Sequence, residues 1–564
     1  MSRPSQTGSP APRVVEAGAS HRRGIWPLVQ AAEMQALDRQ TIDGRGVAGE
    51  ILMESAGRAL VEPVLALRRA SDRPGRPVRA LCGAGNNGGD GFVLVRHLHA
   101  EGVPAEAILL GDPARLPADA AANWRRLAAL GAGTRVLDPA APGVEWAALL
   151  DDTSVAVDAL FGTGLTRPLE GAFASLVEAV ADARGRGLRV LSVDMPSGIA
   201  ADTGQVLGAA IRADETVTIS LPKVGLALEP GRSHAGSVRV ARVGIDDPVP
   251  GRPDRIELWA RRAAADLLPR RPRDGHKGRF GHVLVVAGSA GKLGAASLCS
   301  RAAVRAGAGL VTLAHPAGCA AEIPGRCAEV MTEELPATKG GSFARAGEAA
   351  LRQLAAARDV VAIGPGLGRD PETVELVRGI VGVLEGPLVV DADGLFALQG
   401  EALAALHDRR AATVLTPHPG EAARLLGGEA KHVNADRIGA ARRLATASRA
   451  VVVLKGAGTV VADPAGRALV IPTGGPVLAS GGTGDVLTGI VAALLAAGLS
   501  GFDAAGLAAW WHGAAADRAG EAAAGFGLLA SELADGLAEA AQAIRTGARG
   551  EGADEGLLLR FPGP

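Results

Sequence analysis

The feature that most constrains this chain is a repeated unit: a short apolar run ends in a glycine-rich or acidic loop, and an amphipathic stretch follows. VRALCGAG, VDALFG, VLSVDMPSG and ETVTISL read as strands running into loops, whereas AEMQALDRQTI, DGFVLVRHLHAEG and SLVEAVADARGRG read as helices. Strands that are apolar without alternation need cover on both faces, so the pattern predicts a mostly parallel sheet between two helical layers. The theme returns in the second half with GHVLVVAG, GAGLVTLA, DVVAIGPG, PLVVDADG, ATVLTPHPG and AVVVLKGAG. The loop motifs of the two halves differ, so two distinct α/β domains are expected and not an internal repeat.

Composition sets the remaining bounds. A chain of 564 residues with 48% hydrophobic and 21% charged residues can bury two sizeable cores. Its 78 Gly and 34 Pro follow no triplet period, which excludes collagen and points to many tight turns. A formal net charge of −1 supplies no general field for nucleic acid or anionic lipid. The four Cys, at 82, 299, 319 and 327, form no C-x-x-C pair, which argues against a disulfide framework or a Cys-rich zinc site and favours the cytoplasm. The apolar run Val486–Leu499 contains Thr488 and falls short of the roughly 20 residues a membrane span needs.

Residues 1–24 read as a flexible leader, without a secretory core or a convincing amphipathic transit helix. The first domain is expected over 25–250, a basic, Pro-rich linker over 251–275, the second domain over 276–545 and a tail over 546–564. The basic run Arg270–Lys277 lacks interleaved aromatics and reads as a solvated linker.

In the first half, Gly83-Ala84-Gly85-Asn86-Asn87-Gly88 fits the dinucleotide pattern G-x-G-x-x-G between an expected strand and helix. Its continuation, Asn86-Asn87-Gly88-Gly89-Asp90-Gly91, adds two amides and a carboxylate at a helix start, where backbone N–H groups can receive phosphate and the side-chain oxygens could bind a cation. Two further loops follow expected strands: Asp158 through Gly162-Thr163-Gly164-Leu165-Thr166-Arg167-Pro168, and Asp194-Met195-Pro196-Ser197-Gly198. In an open α/β sheet such loops converge on one crevice, so Asn87, Asp158 and Ser197 are candidate oxygen ligands for a monovalent cation, and Asp194 is the acid/base candidate. The plainer alternative is that these Asn and Asp residues only cap turns.

GNNGGDG, DALFGTGL and DMPSG, in this order, resemble the NAD(P)H-hydrate epimerase domain, the YjeF N-terminal family. The resemblance implies a Rossmann-like three-layer sandwich. It also implies that Asn86, Asn87, Gly88, Gly89, Asp90 and the Gly162–Pro168 loop bind the hydrated nucleotide with Asp194 at the reacting end. A potassium ion would be held by Asn87, Asp158 and Ser197.

In the second half, Gly481-Gly482-Thr483-Gly484-Asp485 precedes a long apolar run and therefore lies at a helix N-terminus, where small residues leave backbone N–H groups open to an anion. Asp485 is placed to take a proton from an alcohol as a phosphoryl group is transferred, although an acidic residue in a first turn can also simply cap the helix. Lys455-Gly456-Ala457-Gly458-Thr459 closes a Val-rich strand, and its ammonium and backbone could meet phosphates. His418, between two prolines, is expected to be non-helical and held towards a ligand, although a lone loop His is more often without a functional role. Asp391 and Asp393 in VVDADG could make an ion-linked or ribose contact, or be ordinary turn residues. A P-loop reading of Gly288–Gly294 fails, because Val286 stands where a Gly is required and Lys292 is followed by Leu.

These motifs resemble the ribokinase-like superfamily and, with HKGRFGHV, AGSAGKLGAA, GPGLG and TPHPGE, more narrowly the NAD(P)H-hydrate dehydratase family. The resemblance implies a ribokinase-like three-layer sandwich with nucleotide (ADP with Mg2+) at Lys455, Gly456, Ala457, Gly458, Thr459 and Gly484. It puts the hydrated nicotinamide near Ala295, Gly366, His418 and Asp485. Phe396 stands where that family has Asn, and Gly475-Pro476-Val477-Leu478 replaces an Asn-Pro-Gly-Met-like run.

The two resemblances join in one chemistry. Water added at C6 of the reduced nicotinamide makes a hemiaminal with two epimers, so a dehydratase shaped for one needs an epimerase for the other. The expected function is repair of NADHX and NADPHX (hydrated NADH and NADPH), with no nucleic-acid or membrane partner and a homo-oligomeric assembly. The rivals are a ribokinase-like kinase of a vitamin-precursor alcohol with a regulatory first half, and a nucleotide sensor without turnover.

Overall fold

A computed structural model of the chain describes residues 24–141, 144–245, 248, 251–323, 327–522, 525–547 and 558–561. The leader expected over 1–24 lies outside the described residues apart from Gly24, as does most of the expected tail.

Two sheets carry the architecture. The first runs, edge to edge, through Leu558–Arg560, Ser237–Ala241, Glu215–Ile219, Arg189–Val193, Val155–Ala159, Val78–Cys82, Ala105–Leu110 and Gly133–Leu137. The last seven are parallel, and Leu558–Arg560 adds antiparallel to Ser237–Ala241. Chain order reverses between Val78–Cys82 and Val155–Ala159, which makes the carboxyl ends of those two strands the expected ligand crevice. Both strands are buried along their whole length, as a sheet covered on both faces requires. The Rossmann-like expectation holds.

The second sheet has eleven strands. Seven run parallel, from Val330–Leu335 through Leu310–Pro316, His282–Val286, Val360–Ile363, Leu388–Val390 and Thr413–Leu415 to Val451–Leu454. Val460–Ala462 and Ala468–Val470 then meander antiparallel. Here the order reverses between His282–Val286 and Val360–Ile363, next to Gly288 and the Gly364–Gly368 loop. The ribokinase-like expectation holds as well.

The expected linker, 251–275, carries structure. Ile256–Trp259 is a strand of the second sheet, parallel to Ala468–Val470, and Arg261–Leu267 is a helix. Ile25–Leu28, expected in the first domain, pairs antiparallel with Ile256–Trp259 and forms the edge of the second sheet. Each sheet is thus completed by a strand from the opposite end of the chain. Nothing local in the sequence announces such distant pairings.

The apolar run after Asp485 is the helix Thr483–Ala496, buried on nearly all sides. It packs so closely on the helix Leu293–Arg305 that a Cβ on Gly489 would lie 2.2 Å from the Cys299 carbonyl oxygen. Its hydrophobicity serves the core, and no described helix is long and apolar enough to cross a membrane.

Candidate active sites

At the first crevice, glycines permit loop-on-loop contact. A Cβ on Gly83 would lie 2.0 Å from the Leu160 carbonyl oxygen, and one on Gly88 would lie 2.0 Å from that of Gly83. This compression brings the start of the helix Asn86–Ala100 against the end of the strand Val155–Ala159. A Cβ on Gly162 would lie 3.2 Å from Asp194 Oδ2 and 3.3 Å from Asn87 Oδ1, so the three loops expected to converge do meet there. Asn86, Gly164, Thr166, Arg167 and Pro168 are exposed, Thr163 and Leu165 are half-buried, and Gly88 and Gly89 are buried.

Asp158, 1% exposed, accepts hydrogen bonds from the hydroxyls of Ser197 (2.5 Å) and Ser192 (2.8 Å) and from the backbone N–H of Ser197 (2.8 Å). Burial raises its pKa and these neutral donors only partly offset the effect. Asn87 comes to the same loop with its Nδ2 buried and unpartnered. Asp194 follows the strand Arg189–Val193 with φ of 66°, a strained conformation for a residue with a side chain. Its Oδ1 accepts from the Ile219 N–H (3.1 Å), the Thr218 hydroxyl (3.3 Å) and the ammonium of Lys223. Asp90, the fifth residue of the helix Asn86–Ala100, is pushed well above the usual carboxylate range by burial and then by the charge of Asp194, with Lys223 opposing.

At the second crevice, Asp391 ends the strand Leu388–Val390 and is 1% exposed. Its Oδ1 accepts from Lys455 Nζ (2.7 Å) and its Oδ2 from the Thr488 hydroxyl (2.7 Å), which sits one helical turn beyond Asp485. A Cβ on Gly484 would lie 3.3 Å from Lys455 Nζ, so the ammonium faces the helix start. Burial works to lower the Lys455 pKa, but the charges of Asp391 and Glu421 outweigh it and hold the ammonium above its ordinary value. Asp485 is raised to about 7, by burial first and then by the charge of Asp391, with Lys455 opposing. His512, lowered to about 4 by burial, is a neutral imidazole whose Nε2–H donates to the Thr483 carbonyl (2.9 Å) and props the first turn.

The Gly364–Gly368 loop stacks on the Asp391 loop, and a Cβ on Gly366 would lie 3.1 Å from that of Ala295. Two expected hydrate contacts are therefore neighbours. His418 is non-helical, as expected, but caps the helix Pro419–Leu425: its Nδ1 accepts from the N–H of Gly420 (3.0 Å) and Glu421 (3.4 Å). Glu421 returns a bond to the His418 N–H (2.8 Å) and approaches Lys455 at 4.0 Å. Of the VVDADG pair, Asp393 is not engaged with Lys455. It accepts from the Gly368 N–H (3.0 Å) and pairs with Arg369, whose guanidinium lies 4.4 Å over the ring of Phe396.

Four supporting residues escaped the sequence reading. Arg437, on the helix Arg437–Ser448, donates to the carbonyls of Leu454, Lys455 and Gly458 and so fixes the Lys455–Thr459 loop. Thr218, Lys223 and Thr488 brace the two aspartates. For Lys223 a signal existed: a lone cation inside the apolar run Leu221–Leu228.

The fold and these sites define a two-domain α/β enzyme, with a Rossmann-like crevice holding acidic groups and a kinase-like crevice with an acid at a helix start. Two family models match: YjeF-related protein N-terminus over residues 49–225 and NAD(P)H-hydrate dehydratase over 283–539. The bifunctional NAD(P)H-hydrate repair enzyme Nnr of Thermofilum pendens is 41% identical over 537 residues, covering 92% of this chain and 97% of its own. That of Moorella thermoacetica is 40% identical over 517 residues, covering 90% and 96%. The ADP/ATP-dependent NAD(P)H-hydrate dehydratase of Bacillus subtilis, co-crystallised with ATP/Mg2+, is 30% identical, with a TM-score of 0.45 over 51% of this chain and 98% of its own. The chain belongs to the bifunctional NAD(P)H-hydrate repair enzymes. It is an NAD(P)H-hydrate epimerase and dehydratase in one polypeptide.

Proposed function

We propose that Asp485 is the base of the dehydratase site and Asp194 the acid/base of the epimerase site. The observation that carries the first assignment is a carboxylate at an open helix start beside Lys455, with a pKa of about 7 suited to accepting a proton near neutrality. Asp485 takes the proton of the C6 hydroxyl, and the freed oxygen attacks the terminal phosphoryl group of ADP. Lys455, Gly456, Ala457, Gly458, Thr459 and Gly484 hold the nucleotide, and Ala295, Gly366 and His418 the hydrate. Phosphate then leaves C6 with lone-pair donation from the ring nitrogen, a proton leaves C5, and NAD(P)H is regenerated. No three His, Cys, Asp or Glu side chains among the described residues cluster to hold a metal, so Mg2+ would arrive with the nucleotide and its phosphates.

In the epimerase site, Asp194 gives a proton to the C6 hydroxyl, which leaves as water as the ring nitrogen forms an iminium. Water then adds to the other face and yields a proton to Asp194. Asn86, Asn87, Gly88, Gly89, Asp90 and Gly162–Pro168 bind the nucleotide part. The buried Asp158 has only neutral donors against it, and with Ser197 and Asn87 Oδ1 it makes an oxygen set suited to K+, which would offset its charge. Four free cysteines among the described residues fit a cytoplasmic enzyme.

The test is Asp485→Asn with pure S epimer and ADP. Turnover is expected to fall by about 10³-fold or more, as for loss of an essential acid/base, with epimerisation intact. Retained dehydration would overturn it.

A further inference from the structure

We infer that Lys223 is a positioning residue of the epimerase, fixing Asp194 so that only its Oδ2 is offered to the substrate. The inference rests on the assignment of Asp194 to the reacting end. Lys223 is 1% exposed, and its ammonium has three acceptors for its three N–H groups: Asp194 Oδ1, the Thr218 hydroxyl oxygen at 3.1 Å and the Ile219 carbonyl at 2.8 Å. The Thr218 hydroxyl passes its own hydrogen to Asp194 Oδ1, which the Ile219 N–H also reaches. Oδ1 is therefore saturated by three donors, whereas Oδ2 accepts none among the described residues and turns to Gly162, beside Asn87.

A lysine buried this deeply, charged and fully bonded, is costly to keep without a task. The backbone holds it as firmly as the side chain does. Val29 donates to the Pro222 carbonyl (3.0 Å) and accepts from the Val224 N–H (3.1 Å), clamping Lys223 between them. Asp194 is held in a left-handed conformation by its N–H bond to the Val217 carbonyl (2.8 Å). A carboxylate pinned at one oxygen cannot rotate, so the lone pairs of the other keep one direction relative to the reacting carbon. A displacement on the order of 1 Å in such a group costs about 10²-fold in rate. Lys223 does not reach the substrate in this account. It acts through Asp194.

The experiment follows conversion of pure R epimer to S by chromatography, in the full-length protein, for Lys223→Met, Thr218→Val and Asp194→Asn. Dehydration of pure S epimer and the melting temperature report the fold. The expected result for Lys223→Met is a kcat of epimerisation lower by about 100-fold, a KM within about threefold and undiminished dehydration. Thr218→Val, close in shape, gives the same split at about tenfold, and carries the test should Lys223→Met fail to fold. Epimerisation within threefold of normal in whichever variant is folded, or a kcat loss matched by lost dehydration, would overturn the inference. If Asp194→Asn abolishes epimerisation while Lys223→Met and Thr218→Val leave it within about threefold of normal, only the role of Lys223 fails. If Asp194→Asn stays active, the assignment of Asp194 fails with it.

Discussion

A single carboxylate in each half concentrates the chemistry, and their surroundings differ. Asp485 has a charged neighbour on either side, Asp391 raising its pKa and Lys455 lowering it, with burial as the largest influence. An acid raised to about 7 keeps its proton until the pH climbs through that value, so the base form is lost as pH falls. Dehydratase kcat/KM is expected to drop about tenfold per unit below pH 7 and to level above it. In Asp391→Asn, the repulsion that raises Asp485 is gone and Lys455 is freed towards it, so the midpoint of that profile moves to lower pH. An unchanged midpoint would separate Asp485 from the titration. Asp158, a buried carboxylate with neutral donors, carries the potassium proposal. KCl is expected to raise the melting temperature more than LiCl or choline chloride at equal ionic strength, and Asp158→Asn to erase the difference.

Among the elements, glycines and one arginine decide whether the loops can lie where the chemistry needs them. Gly364 has φ of 133°, and a Cβ there would stand 1.8 Å from the Asp391 carbonyl oxygen. Gly364→Ala is expected to cost about 3 kcal/mol or more in denaturant unfolding and to displace the Asp391–Lys455 pair. Arg437, lowered to about 10 by burial, ties three carbonyls at the nucleotide loop. Arg437→Met leaves those acceptors unpaired, and the KM for ADP is expected to rise about tenfold with epimerisation unaffected. The sequence made the loops legible because close backbone approach leaves a glycine trace: GNNGGDG, GPGLG and GGTGD each mark a crevice. It did not reveal Arg437 or Thr488, which lie on helices with no local sign of their partners. A proline-flanked His is ambiguous in the sequence: the flanking prolines keep His418 out of a helix, but its Nδ1 caps the next one.

The whole molecule is interlocked. Ile25–Leu28 completes the second sheet and Leu558–Arg560 the first, and Trp26 meets Phe561 edge-on with ring centroids 5.6 Å apart. Met195, Val224 and Leu228 belong to one buried apolar cluster with Ile438, Leu454 and Val470, so the halves share a core. A Cβ on Gly458 in the nucleotide loop would lie 3.2 Å from Leu228 Cδ2, which places the first half directly against the second site. A chain ending at residue 547 is expected to melt lower by about 5 °C or more and to lose epimerisation before dehydration. Two α/β domains were readable from loop motifs, because each motif is local, whereas strand exchange between chain ends is a non-local pairing. Both activities reside in this one chain. The most direct measurement incubates the protein with both hydrate epimers and follows nicotinamide absorbance with ADP, with ATP and with neither. Complete nucleotide-dependent recovery is predicted, slowed to the spontaneous epimerisation rate by Asp194→Ala and abolished by Asp485→Ala. No recovery with either nucleotide would contradict it.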